Sequence, residues 1–248
     1  MKTDPPYLSL VIPAYNEEDR IGTSLRSVSK LIDSFPHPVE VLVVEDGSTD
    51  RTAEIVQYYI EEFQPDSTLS LIRCPQNRGK GFAVKEGFKR TSGRYVVFSD
   101  TDLSAPIDQI PKLLQPLERG ADVAIASRRL PDSEVVGLPL IRRTTGRLFA
   151  WLSRVVVLTG YTDTQCGFKA YRAEAAKELA DRQTILGYTF DVEHLLWARH
   201  LGMKVVEVPV KWIYTEGSKI NGIRDSFRMF RDLLALRRRF SRLTRERG

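Results

Sequence analysis

Two aspartates one residue apart, Asp100 and Asp102, close a short apolar run, Tyr95-Val-Val-Phe-Ser99. The run is β-branched and aromatic, the composition of a buried strand. Where a strand gives way to a loop, carboxylates at spacing two emerge on one side and can converge on a hard cation or a sugar hydroxyl. Mg2+ or Mn2+ held in this way keeps coordination positions open for the phosphate oxygens of a substrate. Asp-X-Asp is also common in plain surface turns, so its meaning depends on what the rest of the chain brings to it.

The elements that must position this pair follow a repeated plan. Residues 7–12 read as a strand ending in Pro13-Ala-Tyr-Asn-Glu-Glu18, before a helix with Ile21, Leu25, Val28 and Ile32 at helical spacing. Asn16 is placed to cap that helix, with Glu17 and Glu18 in its first turn. Residues 39–44 form a second strand, Glu45-Asp-Gly-Ser-Thr-Asp50 a turn, and Val56, Tyr59, Ile60 and Phe63 mark a second helix. A third strand, 69–72, leads through Asn77-Arg-Gly-Lys-Gly81 into a helix carrying Phe82, Lys85 and Phe88. The Asp100 strand, a helix with Ile110, Leu113, Leu114 and Leu117, and a strand over 122–126 come next. This alternation predicts an α/β fold, a mostly parallel sheet with helices on both faces, whose ligands sit at the carboxyl ends of the strands. The three polar turns fall at those ends. No Gly-X-Gly-X-X-Gly follows the first strand, which argues against dinucleotide binding, and Arg78-Gly-Lys-Gly81 lacks the pattern of a Walker loop. Gly79 and Gly81 read most simply as a tight turn into the helix.

Beyond Arg128 and Arg129 the character changes. Residues 131–139 read as a loop, and 140–158 wind as one helix with Ile141, Leu148, Leu152, Val155 and Val156 on one side. Arg143, Arg147 and Arg154 lie opposite, with Trp151 at the boundary, a pattern that suits an in-plane membrane helix and equally a core-packed one. Asp163-Thr-Gln-Cys-Gly-Phe-Lys169 is a polar loop entering a short strand, Phe190-Asp-Val-Glu193 opens a helix ending at Gly202, and 205–212 is the last strand. In the tail, Phe227, Phe230, Leu233 and Leu234 share one helix face and Arg224, Arg228, Arg231, Arg238 and Arg242 the other, with a frayed Arg-rich end. That basic face is either simply solvated or a surface for anionic lipid.

Composition bounds the rest. The 248 residues, 42% hydrophobic and 28% charged, suit a soluble globular domain, and a net charge of +5 favours acidic partners. Two cysteines without ligand spacing indicate neither a disulfide framework nor zinc, and a reducing compartment fits. The N-terminus lacks a signal-peptide core, and no 18 apolar residues run together, so no bilayer-spanning helix is expected. The basic tail carries no recognisable nucleic-acid module. His37, His194 and His200 read as structural or exposed, and Cys166 as a small packed residue.

Taken together, Pro13-Ala-Tyr-Asn-Glu17, Glu45-Asp-Gly-Ser-Thr-Asp50, Arg78-Gly-Lys80 and Asp100-Thr-Asp102 resemble the nucleotide-sugar half of inverting family 2 glycosyltransferases, whose fold is called GT-A. Asp163-Thr-Gln-Cys-Gly-Phe-Lys169, Phe190-Asp-Val-Glu193 and Glu216-Gly-Ser-Lys219, followed by Arg-Asp-Leu-Leu, resemble the dolichyl-phosphate β-glucosyltransferases and other polyprenyl-phosphate transferases. Eukaryotic members of that group usually begin with a membrane-spanning helix, which this sequence does not show. The resemblance covers nearly the whole chain and implies one GT-A domain over 1–248. Its parts are a nucleotide-sugar half (1–130), an amphipathic membrane-facing segment (131–160), an acceptor half (161–220) and a basic amphipathic tail (221–248).

It also implies roles. Tyr15 and Glu17 bound the base and ribose pocket with Pro13 and Ala14, Asp46 accepts hydrogen bonds from the uracil or ribose, and Gly79, Lys80 and Thr101 meet the nucleotide sugar. Asp100 and Asp102 hold the sugar and a Mg2+ or Mn2+ ion that neutralises the departing diphosphate. A sugar hydroxyl as acceptor needs a carboxylate base, for which Asp191 or Glu193 is the candidate. A phosphomonoester, with a second pKa of about 6, is already anionic and needs positive charge instead. Arg128, Arg129 and Lys219 are its candidates, with Asp163 near the metal and acceptor. The reaction implied is metal-dependent, inverting transfer of glucose from UDP-glucose to dolichyl or polyprenyl phosphate, by a protein peripheral to the cytoplasmic face of a membrane. An anionic lipid surface or a membrane-protein partner would hold it there. The alternatives are a soluble family 2 transferase acting on a saccharide hydroxyl, a GDP-mannose-dependent polyprenyl-phosphate mannosyltransferase, and a non-catalytic nucleotide-sugar sensor.

Overall fold

The computed structural model describes residues 5–62, 68–139, 156–157, 160–215 and 222–245. Strand β1 (Leu8–Ala14) is buried along all seven residues, as a strand paired on both edges and covered on both faces must be. It pairs in parallel with β2 (Val39–Asp46) and β4 (Tyr95–Ser99), and β2 pairs in parallel with β3 (Thr68–Cys74). On the far side of β4, β5 (Val123–Ser127) runs parallel to β8 (Val205–Pro209), and β7 (Phe168–Arg172) lies antiparallel between β4 and β5. The order across the seven-stranded sheet is β3-β2-β1-β4-β7-β5-β8. The expected mostly parallel α/β architecture is present, with one reversed strand.

Alternate residues of the strands feed two apolar layers. Leu8, Leu10 and Ile12 of β1 face the layer built with α1 (Ile21–Ser34), α2 (Thr52–Glu62) and α4 (Ile110–Glu118). Val11 faces the other layer, built with α3 (Lys80–Arg90), α5 (Ala173–Arg182), α6 (Phe190–His200) and α7 (Gly222–Arg245). Because β1, β2, β4 and β5 are mutually parallel, the turns after Ala14, Asp46, Ser99 and Ser127 open along one edge of the sheet. β7 runs the other way and begins at that edge, so its register of Ser99 opposite Phe168 sets Gly167 beside Asp100.

Several expectations are corrected. Asn16 does not cap α1, which starts at Ile21 after Arg20; Asn16 has φ 52° and its Oδ1 instead accepts the Thr49 N–H at 2.8 Å. The loop over 131–139 contains a strand, β6 (Glu134–Val136). The last strand is two: β8 stops at Pro209, which has no N–H to continue a ladder, and β9 (Lys211–Ile213) leaves the main sheet to pair in parallel with β6. Helix α5, unmarked in the sequence pattern, buries Ala175, Ala176, Leu179 and Ala180. The Arg-rich end of the tail is helical through Arg245. The buried stripe of α7 is Met229, Leu233, Leu236 and Phe240, while Phe227 and Phe230 are exposed. Of the helix expected over 140–158, residues 140–155 and 158–159 lie outside the described residues; Val156 and Val157 are helical and join the second apolar layer. No described helix is long and apolar enough to cross a membrane.

Helix α7 is fastened chiefly by that stripe, with the Phe240 ring edge-on to Trp197 of α6 at 4.9 Å between centroids. Leu233 is fully buried in it. Leu233→Ala is expected to cost about 2–5 kcal/mol through lost burial and a cavity. A lowered urea midpoint, with amide exchange accelerated first in α7, would register it; an unchanged midpoint would show that α7 is held by other contacts.

Candidate active site

The turn after β1 is tied to the turn after β2 before either meets a ligand. The backbone N–H groups of Asn16, Glu17 and Glu18 donate to Ser48, Thr52 and Asp50 side chains at 3.0, 2.7 and 3.1 Å. The Thr101 hydroxyl donates to the Pro13 carbonyl at 2.6 Å, fastening the end of β1 to the turn after β4. These ties fix one wall of a cleft of about 1060 Å³ that contains Pro13, Ala14, Tyr15, Glu17, Asp46, Gly79, Lys80, Asp100, Thr101 and Asp102. All ten residues expected to meet the nucleotide sugar therefore share one cavity.

Asp46 has a backbone engagement beside its expected place on the cleft. Its carboxylate accepts the backbone N–H groups of Arg78, at 3.1 Å to each oxygen, and of Gly79 at 2.7 Å, and it is buried. It staples the turn that starts α3, although it still borders the cleft. Burial raises its pKa against the opposing effect of those backbone donors. Gly79, at φ 109°, occupies backbone that favours glycine, and an added Cβ there would sit 2.6 Å from the Leu186 carbonyl oxygen. Gly79 and Gly81 are thus the tight turn expected, and they also let the segment 184–188 close against α3 as a further part of the cleft.

Lys80, the first residue of α3, reaches Asp100 with Nζ 2.5 Å from Oδ1. Burial works against its ammonium, but Asp100, Asp191 and Asp102 outweigh that and its pKa is raised. The other side of the Asp100 carboxylate lies on Gly167, where a Cβ would fall 1.9 Å from Oδ2. The Asp100 N–H also donates to the Gly167 carbonyl at 3.0 Å. Asp102 Oδ1 accepts the Ser104 N–H at 2.9 Å, while Oδ2 accepts no hydrogen bond among the described residues. Two partly exposed carboxylates at the cleft edge are a hard-oxygen donor set, which suits a divalent ion that takes its remaining ligands from substrate. Among the described residues no group of three or more His, Cys, Asp or Glu is arranged to hold a metal alone.

Arg128 and Asp163 do not border the main cleft. They form a forked pair, Nε to Oδ2 at 2.7 Å and Nη2 to Oδ1 at 2.9 Å, with the Arg128 backbone N–H adding a third bond at 3.0 Å. Glu207 accepts the N–H groups of Thr162 and Asp163, so the loop is held from both sides. The Arg128 guanidinium lies 5.5 Å from the Trp212 ring centre, and Trp212 borders a small void with Asp100 and Asp102. Arg129 follows at the same strand end, its N–H donating to Ser127 Oγ at 3.4 Å. Lys219 lies outside the described residues.

Asp191 and Glu193 also stand away from the cleft. Asp191 Oδ1 is 2.5 Å from Lys169 Nζ in a fully buried pair, and burial raises its pKa against the pull of Lys169 and Lys80. Glu193 accepts the N–H groups of Thr184 and Ile185 and pairs with Arg239 of α7 at 2.9 Å. Neither side chain is presented to a substrate in the cleft. Cys166 is buried, its thiol pushed up to about 12 by burial, and His194 is buried with its pKa lowered to about 3, so both are the packed residues expected. What the sequence reading missed is α7 as a cleft wall: Arg224, Arg228, Arg231 and Arg239 border the cavity. Their spacing beside an apolar stripe was the available signal.

Two outcomes test this geometry. Gly167→Ala must displace Asp100 and is expected to remove most activity while the fold persists; retained activity would mean that the Asp100 position is not demanding. Burial alone would raise the Asp163 carboxyl, but Arg128 holds it down from 3.8 to about 2. A carboxylate depressed in the folded state stabilises fully above its ordinary pKa, and loses that contribution as pH falls through the folded value. Urea midpoints should therefore drop between about pH 4 and pH 2, less steeply in Asp163→Asn than in the parent; equal slopes would contradict the assignment.

Comparison with known proteins places this site in context. Residues 9–180 match the family model "Glycosyl transferase family 2". A dolichyl-phosphate beta-glucosyltransferase of Dictyostelium discoideum is 32% identical, over 96% of this chain and 76% of that protein. The Homo sapiens protein of the same name is 30% identical over 94% and 75%. Glycosyltransferase AglD of Haloferax volcanii is 32% identical over 92% of this chain but only 36% of its own length. Among solved structures, glucosyl-3-phosphoglycerate synthase from Mycobacterium tuberculosis, in complex with Mn2+, UDP-glucose and phosphoglyceric acid, superposes with a TM-score of 0.68 at 21% identity. The match spans 95% of this chain and 79% of that one, and shows a shared fold of the GT-A type.

Proposed function

The chain belongs to glycosyl transferase family 2, and we propose that it transfers glucose from UDP-glucose to dolichyl or another polyprenyl phosphate, inverting the anomeric carbon. The relatives' names supply the glucosyl group and the dolichyl-phosphate acceptor, and the UDP carrier is the one that the sequence resemblance implies. The observation that carries the reading in this chain is the engagement of Asp191 and Glu193: the two carboxylates that a hydroxyl acceptor would need as base are buried and already bonded to Lys169, Thr184, Ile185 and Arg239. A lipid phosphomonoester needs no base, because its oxygen is already anionic at neutral pH.

In this reading Pro13, Ala14, Tyr15 and Glu17 enclose the base and ribose, with Asp46 shaping that end through the backbone of Arg78 and Gly79. Lys80, Gly79 and Thr101 border the sugar diphosphate, and Asp100 and Asp102 face it with their carboxylates. Bound by Asp100 and Asp102, Mg2+ or Mn2+ would neutralise the diphosphate as it leaves. Asp100 is kept from swinging away by Lys80 and Gly167, so the pocket is arranged before substrate arrives. The acceptor phosphate approaches in line from the side of Trp212. Arg128 spends Nε and Nη2 on Asp163, which leaves Nη1 without a hydrogen bond among the described residues; Arg129 follows at the same strand end, and Lys219 keeps the acceptor-phosphate role that the sequence resemblance implies. The exposed Phe227 and Phe230 on a helix rich in arginine support peripheral attachment to an anionic, cytoplasmic membrane surface, directly or with a membrane-protein partner. Residues 1–248 then act as one catalytic domain, divided as the sequence reading set out.

Incubation with Mg2+ or Mn2+ and a panel of labelled UDP- and GDP-sugars, with and without a short polyprenyl phosphate, tests the proposal. Label from UDP-glucose should enter the organic phase only when the lipid phosphate is present; label on a soluble saccharide instead, or transfer from GDP-mannose alone, would overturn it. Asp102→Asn is expected to lose at least about a hundredfold in turnover with an unchanged circular dichroism spectrum. Substantial retained activity would reject its role toward the metal and diphosphate.

A further inference from the structure

Helix α7 forms a wall of the cleft, and three of its arginines differ from Arg20, Lys80 and Arg239, which also border the cavity, and from Arg78, whose guanidinium lies over the Phe82 ring at 4.0 Å. Arg20 is paired with Glu17, Lys80 with Asp100 and Arg239 with Glu193. Arg224, Arg228 and Arg231 also border the cavity, yet make no ion pair or hydrogen bond among the described residues. Spaced by four and then three residues, they fall in one stripe along the helix. Asp225 and Asp232 border the cavity too, each one residue on from an arginine and so about 100° round the helix, toward its packed face. The stripe is not on a loose arm, because Met229, Leu233, Leu236 and Phe240 anchor the adjoining face in the core.

A cavity bordered by guanidinium groups on a fixed helix suits an anion of matching geometry. Arginine offers a planar fork of N–H donors that meets two phosphate oxygens at once, and Arg224, Arg228 and Arg231 are exposed, so their forks are open to a ligand entering the cleft. Arg128, the cation singled out first by its position after β5, has most of its fork on Asp163 and does not border this cavity. The geometry points to a phosphate-binding wall on α7: Arg228 and Arg231, with Arg224 at its end, take a phosphoryl group inside the cleft that Asp100 and Asp102 also border. The identity of that group rests on the transferase reading. It is the diphosphate of the donor or the phosphomonoester of the acceptor, and both present the same oxygens to the wall.

Calorimetric titration of the full chain with UDP in the presence of Mn2+, and separately with citronellyl phosphate, separates the two sources without requiring turnover. Arg228→Gln with Arg231→Gln should weaken one of these probes by about tenfold or more, the loss of a charge-assisted fork. Arg237→Gln with Arg238→Gln removes the same charge from α7 outside the cleft and should change both affinities by less than about twofold. Lysine at 228 and 231 should recover part of the loss, because charge returns without the fork. A loss confined to UDP assigns the wall to the donor, and one confined to citronellyl phosphate assigns it to the acceptor. Unchanged affinity for both probes, or an equal loss in the charge-matched control, overturns the wall. The transferase reading fails separately, if the parent binds UDP but forms no lipid-linked product.

Discussion

An aspartate side chain laid against a bare glycine Cα is the constraint on which the rest of this site depends. Asp100 has Lys80 at one oxygen and Gly167 beneath it, and a single methyl group at 167 would overlap the carboxylate. The close approach follows from β7 running antiparallel beside β4, with Phe168 opposite Ser99. Behind it, Lys169 donates to the Cys166 carbonyl at 2.6 Å and to Asp191 of α6, so the loop carrying Gly167 is held from the core. A buried ion pair of this kind is a costly way to gain stability. Its value here lies in fixing where Gly167, and therefore Asp100, must be.

The same logic extends outward. Asp46 binds the backbone that begins α3, which delivers Lys80; Glu193 binds the backbone of Thr184 and Ile185 and also pairs with Arg239. Polar side chains buried at the carboxyl edge of the sheet are thus spent on backbone N–H groups of neighbouring turns, where an unpaired buried group would be expensive. Helix α7 adds a wall to a cleft whose opposite side is built from the turns after β1, β2 and β4. One helix thereby offers an apolar stripe to the core, an arginine stripe to the cleft and two exposed phenylalanines to its surroundings.

Much of this was legible in the sequence. Buried parallel strands are near-continuous apolar runs, so β1, β2 and β4 and the polar turns after them stood out, and with them residues that share the cleft. Helix α5 did not, because its buried positions are mostly alanines, a weak periodic signal between charged residues. The packed face of α7 was misjudged because Phe227 and Phe230 share residue type with Leu233 but not its burial, which is decided by α6. The second engagement of Asp46 was hidden, because nothing in a turn reveals that the backbone of Arg78 and Gly79, more than thirty positions on, will come to it. The necessity of Gly167 was equally hidden, since it arises from a register between strands and not from any local pattern.

Anomalous diffraction from a crystal of the protein with Mn2+ and UDP is the measurement that bears most directly on the central claim, that Asp100 and Asp102 organise a metal and diphosphate at the end of β4. The account predicts a manganese peak within bonding distance of the Asp102 carboxylate and of a diphosphate oxygen, with Asp100 still resting on Gly167. Bound UDP with manganese elsewhere, or with Asp102 turned away from it, would contradict the account.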